Sequence, residues 1–280
     1  MNDVEQILEQ ALQLGEDGRW EDMAQLLNDA LSDAPDDPYL LCWLGVAERE
    51  LGNDGAAYDR FRRCIMANPV DPHLLAIAGA GLAAFDDPDA ETALRAAALS
   101  GPDLPLARLQ YGAYLAREGM YDEALEHLRA AVELAPDDPA MHAELGAAHA
   151  MKGDLDAAAT FLESALDLAP DDSWTRVILG LVLNELERPE EAAEALVRAA
   201  QERSDDAEAL VLGALAAAAR SWDDAAEELL AKAEYPAEGA DVRRIEEAES
   251  ALRAGSDEAA RFLRTVIGPS ALRERLATPL

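Results

Sequence analysis

The chain aligns with itself at a shift of 34 residues, and this period constrains its fold more than any other feature. Tyr111-Gly112, Gly119-Met120-Tyr121-Asp122-Glu123-Ala124, Leu128, Ala131 and Pro136 are answered one period later by Leu145-Gly146, Gly153-Asp154-Leu155-Asp156-Ala157-Ala158, Leu162, Ala165 and Pro170. Upstream, Leu44-Gly45, Gly52, Ala57, Phe61, Cys64 and Pro69 keep the spacing, and the first unit reads Ala11, Gly18, Trp20, Met23, Leu27, Ala30 and Pro35. A repeat of this length is one supersecondary unit that cannot bury its apolar face alone and must stack on copies of itself.

Each unit reads as two amphipathic helices. In the first, a small residue (Gly45, Gly79, Gly112, Gly146, Gly180 or Gly213) admits a neighbouring helix, and a Gly or polar break ends it. In the second, Ala, Leu and Ala recur at helical spacing until Pro stops the run. The Pro-Asp-Asp-Pro runs at 35–38 and 136–139 then restart the chain, with Asp suited to the helix cap and Pro to the first helical position. The 60 Ala residues fit this plan, since Ala is the best helix former and lets backbones approach.

These residues resemble the tetratricopeptide-repeat (TPR) family, whose small residue at position 8, Ala at 20 and 27, and Pro at 32 are matched most fully from Pro38 to Asp172. The resemblance implies an all-α, right-handed TPR solenoid of about seven helix-turn-helix repeats with C-terminal capping helices. In this register the units are 4–37, 38–71, 72–104, 105–138, 139–172, 173–205 and 206–239. The third unit lacks one residue near Phe85-Asp86-Asp87-Pro88, the sixth has Glu187-Arg188-Pro189 where others carry Gly, and the seventh has Trp222 at the turn. From 240 to 280 the pattern decays into three expected helices, 242–254, 257–267 and 269–276, read as a degenerate eighth unit with a cap for the open end.

The resemblance also implies a site. In the family, first-helix positions 2, 5, 9 and 12 line a concave groove where partners bind. Here they include Tyr39, Val46 and Arg49 in one unit, with Trp43 beside them. A later unit contributes Leu106, Leu109 and Ala113, flanked by Gln110 and Arg117. The sixth offers Trp174, Val177, Leu181 and Asn184, flanked by Ile178 and Glu185. This surface is mostly apolar, and contiguous apolar surface with aromatic anchors marks an interaction site. For any one position, packing against a neighbouring repeat is an equal alternative. Some TPR adaptors clamp a C-terminal carboxylate with first-helix Lys, Asn and Arg. Arg49, Arg117 and Asn184 are the comparable groups here, and they are scattered through different units.

Charge narrows the partner class. The chain carries 57 Asp and Glu against 23 Lys and Arg, a net −34. Such a surface is repelled by phosphate backbones and anionic bilayers, which argues against nucleic-acid and membrane partners. The acids concentrate on second helices and turns, as at Asp122, Glu123, Glu126, Asp137, Asp138, Glu190, Glu191 and Glu194. The expected molecule has an apolar inner groove and an anionic exterior, suited to a protein or peptide segment with apolar side chains and basic flanks. Segment 240–280 differs, with seven acids and seven Arg, so the whole net charge resides in the repeats. Arg243, Arg244, Arg253, Arg261, Arg264, Arg273 and Arg275 are read as pairing locally at helical spacing, with head-to-tail docking on another chain's acidic body as the alternative. Two Lys against 21 Arg and a strongly acidic surface also suit a high-salt cytoplasm.

Met1-Asn2-Asp3-Val4-Glu5 shows no basic region followed by an apolar core, and 207–219, the most apolar stretch, is too short to span a bilayer. With only Cys42 and Cys64 present, no disulfide framework is expected and a cytoplasmic location is inferred. The two Cys read as small packing residues. His142 and His149 lie seven apart on one helix face at inward positions, without a third ligand at zinc spacing, and read as core residues; His73 and His127 fall elsewhere. Asp pairs recur with the repeat at helix starts, where capping and the macrodipole explain them. No nucleophile elbow, P-loop or dinucleotide fingerprint occurs. The expected function is therefore a non-enzymatic interaction module without cofactor or metal, a scaffold or chaperone-like adaptor. The alternatives are a homo-oligomeric self-assembly module and, more remotely, a metal-dependent or catalytic protein.

Overall fold

The computed structural model describes residues 2–235 and 240–277, which are α-helical and contain no strand. The end of the 206–239 unit, the last three residues of the 240–280 segment and Met1 lie outside the described residues. The chain divides into two compact units, Met1–Glu118 with Glu126–Leu134, and Gly119–Leu125 with Ala135–Leu280.

The first unit contains α1 (Asn2–Glu16), α2 (Trp20–Leu31), α3 (Pro38–Glu50), α4 (Asp54–Met66), α5 (Pro72–Ala83), α6 (Asp89–Ser100), α7 (Pro105–Arg117) and most of α8 (Tyr121–Leu134). Helices α1 with α2, α3 with α4 and α5 with α6 pack as hairpins. The first helices also touch in succession, α1 with α3, α3 with α5 and α5 with α7, forming one layer. Its core gathers Met23, Leu27, Leu40, Leu44, Phe61 and Leu74, all essentially inaccessible to water. Burying each such side chain contributes about 1.5–3 kcal/mol.

The second unit holds α9 (Pro139–Lys152), α10 (Leu155–Leu168), α11 (Ser173–Glu185), α12 (Pro189–Glu202), α13 (Ala207–Ala219) and α14 (Asp223–Ala233), again paired. Then follow α15 (Ala240–Ala254), α16 (Ser256–Phe262), a π-helical turn at Leu263–Ile267 and α17 (Gly268–Ala277).

The repeat chemistry has a direct physical basis. Asp37, Asp71 and Asp138 accept hydrogen bonds from Tyr39 N (2.9 Å), His73 N (2.8 Å) and Ala140 N (3.0 Å), capping α3, α5 and α9, with Pro next in each. Asp172 and Asp206 do the same for α11 and α13. At Gly45 an added Cβ would stand 2.7 Å from the Phe61 ring, so the α3–α4 crossing requires glycine. The three turns lacking Gly keep the left-handed conformation: Asp86, Glu187 and Ser221 have φ of 52°, 57° and 58°, matching the positive φ of Gly18, Gly52, Gly119 and Gly153. The loop geometry is thus retained, at a backbone cost of about 1 kcal/mol or more for each non-Gly residue.

The C-terminal segment forms three helices close to the expected bounds. Helix α15 pairs with α16 and packs on α13 and α14, α16 and the π turn also lie against α13, and α17 lies against α11 and α9. The segment runs back along first helices because its apolar positions, Ile245, Ala248, Leu263, Ile267, Leu272 and Leu276, join one cluster with Val177, Ile178, Leu181 and Leu215.

Candidate partner-binding face

In the first unit the layer of first helices leaves aromatic and apolar side chains accessible. Tyr39 is 39% exposed, Trp43 and Val46 are half-buried, and Arg49 is exposed on the last turn of α3. Tyr39 is anchored at its tip, its hydroxyl donating to Asp71 Oδ2 at 2.9 Å, so it bridges α3 to the cap of α5. That bond, followed by burial, raises the Tyr39 phenol above its ordinary range. The Trp43 ring lies 6.4 Å from the His73 ring on α5. On α7, Leu106, Gln110 and Arg117 are half-buried.

Six expected groove residues are not on an open surface. Leu109 and Ala113 are buried, since α7 packs against α5 and α6. Val177, Ile178, Leu181 and Asn184 are buried in the second unit, where the C-terminal helices cover α11 and α13. Trp174 and Glu185 remain half-buried at opposite ends of α11. Periodicity identified an apolar face correctly as apolar; it carried no information about what lies on it.

At the start of α11 the covered face becomes electrostatic. The Arg275 guanidinium sits 4.7 Å from the Trp174 ring centroid and that of Arg203 sits 5.4 Å from it. Arg275 donates from Nε to Glu208 Oε2 at 2.9 Å and from Nη2 to Asp206 Oδ2 at 3.1 Å. Arg203 Nε meets Asp206 Oδ2 at 2.9 Å, and Arg244 joins Glu208 at 3.0 Å to Glu274 at 2.9 Å. The two carboxylates respond in opposite ways. Burial alone would raise Asp206, but the Ala209 amide with Arg275 and Arg203 outweighs it and holds the group low. At Glu208 burial wins over Arg275 and Arg244, and the carboxyl is raised. Trp174 Nε1, Asn184 Nδ2 and Arg275 Nη1 are buried with no hydrogen-bond partner, each costing about 1–3 kcal/mol.

This cluster was missed in the sequence. Asp206 reads as an ordinary cap, and the C-terminal arginines read as local pairs. Arg243–Glu247, Arg253–Glu249 and Arg261–Glu258 do pair within their helices. Arg275 and Arg244 instead reach α13. The available signal was the balanced charge of 240–280 beside an otherwise acidic chain.

The remaining polar candidates have structural partners. His149 Nδ1 lies 3.2 Å from Asp154 and its ring stacks on Phe161; His142 Nε2 lies 2.8 Å from the Pro136 carbonyl. His127 meets Arg108 and the edge of Tyr111. Cys42 and Cys64 are buried and form no disulfide, and hydrogen bonding to Cys64 together with burial pushes the Cys42 thiol well up, away from the thiolate a redox or catalytic role needs. Among the described residues no cluster of three or more His, Cys, Asp or Glu is arranged to hold a metal ion, and no helix is long and apolar enough to cross a membrane.

Two family models, each describing a tetratricopeptide repeat, match residues 86–139 and 115–176. No curated protein matches the chain. Among solved structures, the thermophilic TPR protein TTC0263 of Thermus thermophilus is 25% identical with a TM-score of 0.53, covering 64% of this chain and 98% of its own. Pseudomonas aeruginosa PilF is 20% identical with a TM-score of 0.60, over 76% and 96%. The APC/C hetero-tetramer Cut9–Hcn1 gives 20% identity and a TM-score of 0.69 over 85% of this chain but 48% of that chain, so this chain spans about half its length.

Proposed function

The chain is a tetratricopeptide-repeat protein, and we propose that it is a non-enzymatic interaction module that holds a segment of a partner protein on its layer of first helices. The observation that carries this reading is the aromatic pair on α3, exposed Tyr39 and half-buried Trp43, set beside Val46 and Arg49 on a layer that also leaves Leu106, Gln110 and Arg117 half-buried. Aromatic side chains that are partly exposed and rigidly held are efficient anchors, because little side-chain entropy is lost on binding. The Tyr39–Asp71 bond supplies that rigidity.

The partner is a protein segment with apolar side chains to cover Trp43 and Val46 and basic flanks to meet the acidic surroundings. With a net charge of −34, association with such a segment is steered electrostatically and weakens as salt rises. A nucleic acid or an anionic membrane meets the opposite field. A cytoplasmic site of action fits a chain whose two cysteines, Cys42 and Cys64, are buried and unpaired by any disulfide.

The test is affinity capture from source lysate with the intact chain and a Trp43→Glu variant shown by circular dichroism to be folded. A partner held by the parent chain and lost from the variant supports the reading; equal retention by both removes α3 from the site.

Self-assembly is a second reading, favoured by apolar side chains exposed away from this layer, at the ends of second helices and their turns. Met66 is 68% exposed, Val70 91% and Leu99 76%. Light scattering across a concentration series separates the two, since only the second predicts a mass that grows with concentration.

A further inference from the structure

Where α16 gives way to the π turn, the second unit forms a recess of about 370 Å³ bounded by the α11–α12 turn, the end of α13 and α16 itself. Its volume is that of a small-molecule site, in which apolar walls are combined with a few polar groups. The floor is buried and consists of Asn184, Ala193, Ala216 and Leu263. The rim is charged: Glu187, Asp257 and Arg264 are exposed there, and Arg220 is half-buried. The π turn contributes to both, Leu263 to the floor and Arg264 to the rim, and single π turns within helices recur at functional sites.

The polar groups of the recess select a ligand chemistry. Asn184 is 9% exposed, and its Nδ2 has no hydrogen-bond partner. A buried unpaired donor is costly, and a ligand that brings an acceptor removes the cost. At the rim Arg220 Nη2 lies 2.6 Å from Glu190 Oε1, and Arg264 Nη1 lies 3.6 Å from Glu187 Oε1. A guanidinium has several N–H donors in a fork, so each arginine retains donors suited to a carboxylate. Asp257 has no ion pair among the described residues and offers its carboxylate to an ammonium group. The rim is thus balanced, two arginines against two acids. A net anion meets the repulsion of a chain at −34, and a simple cation leaves the arginines unmatched. A zwitterion satisfies both signs and carries no net charge.

We propose that this recess binds a small α-amino acid whose side chain ends in a hydrogen-bond acceptor, as in L-glutamine. The carboxylate meets Arg264 and Arg220, the ammonium group meets Asp257, and the side chain lies on Ala193 and Ala216 with its tip toward Asn184. The site makes no use of the α3 face, so it stands or falls independently of partner-segment binding.

The experiment is isothermal titration calorimetry of the full chain with L-glutamine and its analogues. L-Leucine lacks the acceptor, N-acetyl-L-glutamine lacks the ammonium group and L-glutaminamide lacks the carboxylate. L-Glutamine is expected to bind about tenfold more tightly than any of them, the effect of one buried or charge-assisted hydrogen bond lost. Arg264→Gln and Asp257→Asn, both at exposed positions, should each weaken L-glutamine by about tenfold. No heat with L-glutamine at millimolar concentration overturns the proposal. So does equal binding of any analogue, or L-glutamine binding that neither rim variant changes. The analogue comparison needs no variant and decides the matter even where a variant fails to fold.

Discussion

The Arg275 guanidinium lies 4.7 Å from the centroid of the Trp174 indole while bonding to Asp206 and Glu208 on α13, joining the last helix to the repeats through one side chain. Removing the indole deletes the surface on which Arg275 and Arg203 both rest. Trp174→Ala is expected to destabilise the docking of α15–α17 by about 2–3 kcal/mol, below the value for a fully buried aromatic because Trp174 is half-buried. Amide exchange should show this as accelerated exchange confined to 240–277, with α3–α6 unchanged.

Gly45 shows how the repeat signature acts. A methyl group there would meet Phe61 at 2.7 Å, and Phe61 is itself fully buried. Gly45→Ala therefore forces the α3–α4 pair apart and should lower unfolding free energy by about 1–3 kcal/mol, read as a lower urea midpoint.

Ser221 makes the converse case. Its φ of 58° lies where glycine is favoured, and its side chain is exposed. Ser221→Gly is expected to raise stability by about 0.5–1 kcal/mol, since relief of left-handed strain exceeds the added chain entropy of glycine. A thermal midpoint no higher than that of the parent would show that the turn is not strained.

Glu185 gives a pH dependence with a definite sign. Burial raises its carboxyl above the ordinary range, and its Oε1 is buried without a partner. Below the unfolded value of about 4.3 the group is neutral in both states and imposes no penalty. As pH rises through the raised folded value, the buried carboxylate must ionise and stability falls. Asp206 acts oppositely, its depressed folded value giving stability that is lost as pH falls toward and through it. Glu185→Gln should thus flatten the stability profile above pH about 4.3 while leaving the acid limb intact, measured by urea unfolding across a pH series.

Much of the fold is legible in the sequence because the repeat encodes it redundantly. Asp37-Pro38 announces a cap and a first helical turn, and the structure uses both for those purposes. Gly45 announces a close crossing, and Phe61 fills it. The face of α11 was legible only in part. Val177, Ile178 and Leu181 are apolar whether they meet a partner, a neighbouring repeat or the chain's own C-terminus, so pattern alone does not separate these cases. Arg275 is 69 residues from Asp206, and no local spacing rule connects them. At Asp86, Glu187 and Ser221 the repeat register placed the turn, but without Gly the residue type did not announce the left-handed backbone that each adopts.

The measurement that bears most directly on the account is an amide-exchange footprint of the captured partner on the full-length chain. Docking on the first-helix layer predicts slowed exchange centred on α3, with α4 and α6 unaffected. Protection confined to α4 and α6 and their turns, with α3 exchanging as in the free chain, would contradict it.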